Sequence, residues 1–172
     1  MYYDYPIEQL ACGANTRFQL GFARITMHLM PQFDDVVLEP SQAGLKIHGA
    51  SEVALAIPRE VIRQIHADEV ELKAPQVRLL HDATVREPVM WVRAGVAYGY
   101  AEAVVQDLVA RNAEIEEVDW MVPRPVVRAK APLRVLLGYP QALAALSGNT
   151  ADLRMWLSHY AALHPPPDGN AA

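Results

Sequence analysis

The chain has 172 residues, 52% hydrophobic and 20% charged, with 15 basic and 20 acidic side chains for a net charge of -5. This composition suits a globular core and argues against a general polyanion binder, because neutralising phosphates needs a local excess of Lys and Arg. One cysteine, Cys12, excludes an intramolecular disulfide framework and a multi-thiolate zinc site. No apolar run approaches the roughly 20 residues that span a bilayer. The opening Met1-Tyr2-Tyr3-Asp4-Tyr5-Pro6 lacks the basic and apolar stretches of a secretory signal, so the expected compartment is the cytoplasm, with no membrane partner.

Splitting the chain at Val85 leaves 7 basic and 11 acidic side chains (-4) before it, and 8 and 9 (-1) after it. Neither half is a basic module. No internal repeat and no charge block appear along the sequence.

The first half reads as α+β and rich in strands. Phe22 to Met30 alternates in the manner of a strand and is stopped by Pro31. Short strands are expected at Val36–Leu38, Leu45–His48 and Val53–Ile57. Pro58 stands where a helix begins, and Val61, Ile62 and Ile65 give that helix its apolar face. Val70–Leu72 and Val77–Leu80 follow as strands, and His81-Asp82-Ala83-Thr84 is the best junction between the halves.

The second half is clearer. Met90, Val92, Ala94 and Val96 alternate with Trp91, Arg93 and Gly95, the period of a half-buried strand. Ala101, Val104, Val105, Leu108 and Val109 then fall on one face of an amphipathic helix. Ile115 to Val122 reads as a strand closed by Pro123. In the next strand Val127, Ala129 and Ala131 point inward, while Val126, Arg128 and Lys130 point out. A helix after Gly138 carries Tyr139, Ala142, Leu143 and Leu146, and Leu153, Met155 and Leu157 mark a last strand. The order β-α-β-β-α-β is the ferredoxin-like split arrangement. The closing residues 164–172, with three consecutive prolines, read as a disordered tail.

Several stretches of this half are similar to one family. Glu87-Pro88-Val89-Met90 resembles the opening of domain V of elongation factor G and related translational GTPases. Tyr100, Val104-Val105-Gln106-Asp107-Leu108, Val127-Arg128-Ala129-Lys130-Ala131-Pro132-Leu133, Leu137-Gly138-Tyr139, Leu143 and Ser158-His159-Tyr160 extend the resemblance. Upstream, Gly21-Phe22-Ala23-Arg24-Ile25 is similar to the first long strand of domain IV, and Ile57-Pro58-Arg59-Glu60 to a helix start there. The resemblance implies two small α+β domains: a shortened domain IV-like unit over 1–85, then a ferredoxin-like domain V over 86–163. Few residues separate Leu80 from Glu87, so the long loop and helix that the family carries there are implied to be missing.

No glycine-rich stretch ends in Gly-Lys-Ser or Gly-Lys-Thr, so the phosphate cradle of a GTPase is absent from this sequence. Two loops depart from the family pattern: Arg111-Asn112-Ala113 stands for an arginine pair with glycine, and Gly148-Asn149-Thr150 for glutamine-glycine-arginine. Both changes remove positive charge from loops the resemblance would place near ribosomal RNA.

Other candidate chemistry has ordinary structural readings. His81-Asp82 falls in an expected turn, His48 and His66 make no ligand motif, and Cys12 has no histidine beside it in sequence. Glu114, Glu116, Glu117 and Asp119 fit a solvated strand edge. Trp91, Arg93, Arg128, Lys130, Arg154 and Trp156 are the expected interaction surface, on a sheet face that is either open or covered by a second unit. The expected function is a non-catalytic elongation factor G C-terminal-like protein, with no cofactor or metal, whose partner is the ribosome or ribosomal RNA. The alternative is a repurposed protein-protein interaction module, with another protein or a second copy as partner.

Overall fold

The structure is a computed structural model that describes residues 3–121 and 123–163. The tail at 164–172 and Val122 lie outside the described residues. The chain opens on strand β1 (Ile7–Gly13), whose residues Ile7, Gln9, Ala11 and Gly13 face inward. Helix α1 (Gln19–Leu29) follows directly. Gln19 ties the two together: its side-chain amide donates to Gly13 O and Thr16 O, each at 2.8 Å, and its carbonyl accepts from Gly13 N at 2.8 Å. The segment compared with a first long strand of domain IV is therefore helical, and the expected strand at Phe22–Met30 is corrected to a helix. Its buried face is Ala23, Thr26 and Met30, at helical spacing but neither large nor uniformly apolar.

Strands β2 (Val36–Ser41) and β3 (Gly44–Gly49) form a tight hairpin. At Gly44, φ is 136°, and an added Cβ would lie 2.3 Å from Ala11 O, so only glycine fits there. Residues 53–57, expected as a strand, instead form a short helical turn (Val53–Leu55) that runs into helix α2 (Ala56–His66). Pro58 sits in the first turn, where a missing N–H costs nothing. Strands β4 (Val70–Leu72) and β5 (Gln76–Val77) both pair with β1.

The expected strand at Val77–Leu80 is split between two sheets. Val77 ends β5 in the first, while β6 (Leu80–His81) pairs with β7 (Val85–Gly95) in the second. Helix α3 (Tyr98–Ala110), strands β8 (Glu114–Asp119) and β9 (Val126–Pro132), helices α4 (Leu133–Leu136) and α5 (Tyr139–Leu146), and strand β10 (Asp152–Ala162) complete the chain.

The sheets run β2-β3-β1-β4 and β10-β7-β9-β8, antiparallel throughout. Renumbered within each half, both give the order 4-1-3-2 with a helix after the first and third strands, the ferredoxin-like split βαβ. The molecule is two small α+β domains that share one topology. Their sequences show no repeat because the topology constrains only where apolar residues alternate, not which residues they are.

In the second domain Met90, Val92, Ala94, Val127 and Ala129 are fully buried against Val104, Leu108, Leu133 and Leu136. Each large apolar side chain so buried contributes about 1.5–3 kcal/mol. Leu45, Ile47, Leu55 and Ile62 do the same work in the first domain. No helix among the described residues is long and apolar enough to cross a membrane.

Candidate interaction surfaces

The register of the second sheet brings the six expected surface residues together. Trp156 lies opposite Trp91, which lies opposite Lys130; one row away Arg154 lies opposite Arg93, which lies opposite Arg128. All six occupy the face turned away from α3 and α5, since their neighbours Met90, Val92, Ala129 and Met155 fill the core. The indoles of Trp91 and Trp156 stack with centroids 6.2 Å apart and planes 21° from parallel. Lys130 Nζ sits 4.2 Å from the Trp91 ring centroid, a cation–π contact. Trp156, on the sheet's outermost strand, is 44% exposed, so the face is open within the chain.

Its charge is largely spent internally. Lys130 Nζ bonds Glu116 at 2.7 Å, Arg128 bonds Glu117 at 2.5 Å and Arg93 bonds Asp152 at 3.2 Å. Arg154 alone of the four cations has no ion-pair partner among the described residues. The acidic stretch does lie on the outermost strand β8, and two of its members, Glu116 and Glu117, are counter-charges of this face. A phosphate backbone reaching it would have to displace carboxylates already in place.

The two loops that depart from the family pattern close helices. Arg111 turns inward: its guanidinium bonds Asp107 at 2.9 Å and Val135 O at 3.1 Å, and lies 5.3 Å from the Tyr139 ring centroid. Asn112 at φ 59°, and Gly148 and Asn149 at φ 60° and 61°, supply the left-handed residues that end α3 and α5. Glu87, which opens the motif resembling domain V, is buried and held by Arg134 Nε at 2.7 Å.

The remaining candidates are dispersed. His81 ends β6, and Asp82, which pairs with Arg86 and accepts from Thr84 N, begins the bend that leads into β7. His48 is buried with its Nε2 2.8 Å from Glu39. His66 meets Thr26 Oγ1 at 2.8 Å, and because that hydroxyl donates to Phe22 O, His66 Nε2 is the donor. Burial pushes the Cys12 thiol above its ordinary pKa, and its Sγ–H donates to Ala43 O. No group of three or more His, Cys, Asp or Glu side chains is arranged to hold a metal among the described residues.

Sequence reasoning missed the junction between the domains. Glu52, buried ahead of α2, accepts from Gly138 N at 2.7 Å. Arg59 lies 3.9 Å from the other Glu52 oxygen and donates to Gln9 Oε1 at 2.6 Å, and Gln9 in turn donates to Lys73 O at 2.6 Å. Beside this junction a groove of about 710 Å³ separates residues 32–36 and 50–57 from β10 at Leu153–Trp156. Nothing local in the sequence marks it: Val53 and Ile57, which line it with exposed side chains, stand in a stretch expected as a strand.

Two ferredoxin-like domains, the second with an aromatic and charged open face, make this an α+β protein. Residues 84–169 match the elongation factor G C-terminus family, and the chain belongs to it. It is 31% identical over 84 residues to ribosome-releasing factor 2, mitochondrial, of Bos taurus, a match covering 49% of this chain. It is 36% identical over 74 residues to elongation factor G of Pseudothermotoga lettingae, covering 43% of this chain. Each match spans only 11% of the relative's length. A crystal structure of a Thermus thermophilus protein superposes with a TM-score of 0.67 at 15% identity, over 93% of this chain and 41% of that one. That likeness carries the fold across both domains.

Proposed function

We propose that this chain is a non-catalytic, ribosome-associated protein of the elongation factor G C-terminal kind, acting in the cytoplasm. The observation that carries the reading is the intact framework of the second domain. The Leu137-Gly138-Tyr139 turn, the buried Glu87 and the alternating cores of β7 and β9 all lie within the stretch that matches the family. A similar protein there is named a ribosome-releasing factor. These 172 residues hold no Gly-Lys-Ser or Gly-Lys-Thr phosphate loop, so the reading places no nucleotide chemistry on them. Co-sedimentation with ribosomes at low and at physiological salt tests it. Association at low salt supports the reading, and failure to sediment at either salt removes it.

A second reading is favoured by one observation, the internally paired charges around Trp91 and Trp156. A neutralised, aromatic face suits a protein partner or a second copy better than RNA. Size-exclusion chromatography with light scattering separates a dimer from a monomer, and a monomer that also sediments with ribosomes disfavours this alternative.

A further inference from the structure

We propose that the groove between the two domains receives an extended, Lys- or Arg-bearing segment of a partner protein, which pairs with β10 as an added strand. Three features of the groove carry this. The first is an open sheet edge. β10 is an 11-residue outer strand paired with β7 alone, and from Leu153 to Trp156 no backbone hydrogen bond reaches any other element among the described residues. Natural proteins cover or blunt such edges with proline, lysine or a bulge. This stretch has no proline or lysine, its one charged side chain is Arg154, and the one bulge in β10 falls beyond it, between Leu157 and His159.

The second feature is the opposite wall. Val53 and Ile57 of the first domain are 38% and 67% exposed, and with Phe33 and Trp156 they give an added strand apolar contacts for alternate side chains. The groove is half open to solvent, and its volume of about 710 Å³ leaves room for several residues of an extended segment.

The third feature is charge. Asp34 and Asp35 stand exposed on the groove, and neither carboxylate has an ion pair or hydrogen bond among the described residues. Glu52 is spent on Gly138 and Arg59, and Asp152 on Arg93. Arg154 of β10 lines the same groove without an ion pair among the described residues, so Asp34, Asp35 and Arg154 leave it one net negative charge. Two free carboxylates facing one strand edge select a cationic side chain on the incoming segment. They repel a nucleic-acid backbone. A second copy is also a poor occupant, because its own β10 edge is faced by its own first domain.

The test uses the full chain, ¹⁵N-labelled, and two probes: an acetylated octapeptide of alternating valine and lysine, and its counterpart with glutamate for lysine. The expected result is that the lysine peptide moves the amide resonances of Leu153–Trp156 and changes Trp156 fluorescence. The glutamate peptide is expected to bind about tenfold more weakly, the scale of one charge-assisted contact. The double variant Asp34→Asn with Asp35→Asn is expected to erase that preference, and Ile57→Glu to weaken both peptides; all three positions are exposed, so the fold is kept. The proposal is overturned if neither peptide moves those amides, if both bind equally well, or if light scattering shows a dimer in which those amides are already protected from exchange. Ribosome sedimentation reads a different property, so its outcome leaves this one standing.

Discussion

Glu52 Oε2 accepts a hydrogen bond from Gly138 N at 2.7 Å, across 86 positions of sequence and from one domain to the other. Gly138 is the left-handed residue, at φ 78°, that turns the chain into α5. The bond therefore fixes the first domain to a turn inside the stretch that matches the family. A hydrogen bond to a buried carboxylate is worth about 1.5–3 kcal/mol. Glu52→Ala is expected to lower stability by about that amount, and Glu52→Gln by less, because its amide oxygen still accepts. Urea denaturation reads both, and an unchanged midpoint for Glu52→Ala would show that the contact contributes nothing.

Gly138→Ala isolates the backbone contribution at the same place. An added Cβ meets nothing within 4 Å, so the whole cost is conformational. The left-handed region costs an L-residue about 1–2 kcal/mol. A larger loss in the same denaturation experiment would mean that the turn moves.

Tyr139 is fully buried, and its hydroxyl has no hydrogen-bond partner among the described residues. Burial, with the nearby Asp107 charge, pushes its pKa far above the ordinary value, so the phenol stays neutral. An unsatisfied buried hydroxyl costs about 1–3 kcal/mol, whereas the ring packs in the core beside Arg111. Tyr139→Phe is expected to leave stability unchanged or raise it by about 1 kcal/mol. A clear loss in thermal melting would reveal a partner for that hydroxyl.

How much of this was legible in sequence differs between the halves. From Met90 to Ala94 in β7 and from Val127 to Ala131 in β9 the inward residues are apolar and the outward ones are Trp, Arg and Lys, so hydropathy and burial alternate together. Val126, expected to point out, is nevertheless buried. In the first domain they part company. β1 buries Gln9, satisfied by Arg59 and Lys73 O, while Leu10 lies on the other side, so the strand has no clean period. α1 buries Ala23 and Thr26 yet exposes Ile25 and Leu29, and the apolar residues that mark most helices point the wrong way. The six-residue surface was legible because strand alternation alone places it. The Glu52–Gly138 junction was not, because no local pattern links positions 86 apart.

The paired charges on the open sheet face predict a specific salt response. Glu116→Gln with Glu117→Gln releases Lys130 and Arg128 from their carboxylates. Each cation that gains a phosphate contact steepens the salt dependence of single-strand binding by about 0.7 in log K against log salt. The double variant is expected to bind a single-stranded RNA more tightly than the parent, with a slope steeper by about 1.4. Equal affinities and slopes, measured by fluorescence anisotropy at several salt concentrations, would show that this face does not engage RNA even when its cations are free.

His66 sets a pH limit on the first domain. Burial holds its pKa below the ordinary histidine value, with Glu69 opposing more weakly, and its ring packs 4.8 Å from Phe22. The unfolded chain then binds a proton that the folded chain resists, so stability rises with pH through the window between the two pKa values. His66 adds no penalty above about pH 6.5, where both states are neutral. As the pH falls below that, the folded state loses stability until its own His66 pKa is passed. Protonation makes both ring nitrogens donors, yet the bond to Thr26 already uses an N–H, so the added proton gains nothing from that contact. His66→Gln keeps an amide donor for Thr26 and cannot titrate. Its melting temperature is expected to fall less than the parent's between pH 7.5 and 5, as followed by circular dichroism. Parallel curves for the two proteins would place the acid sensitivity elsewhere.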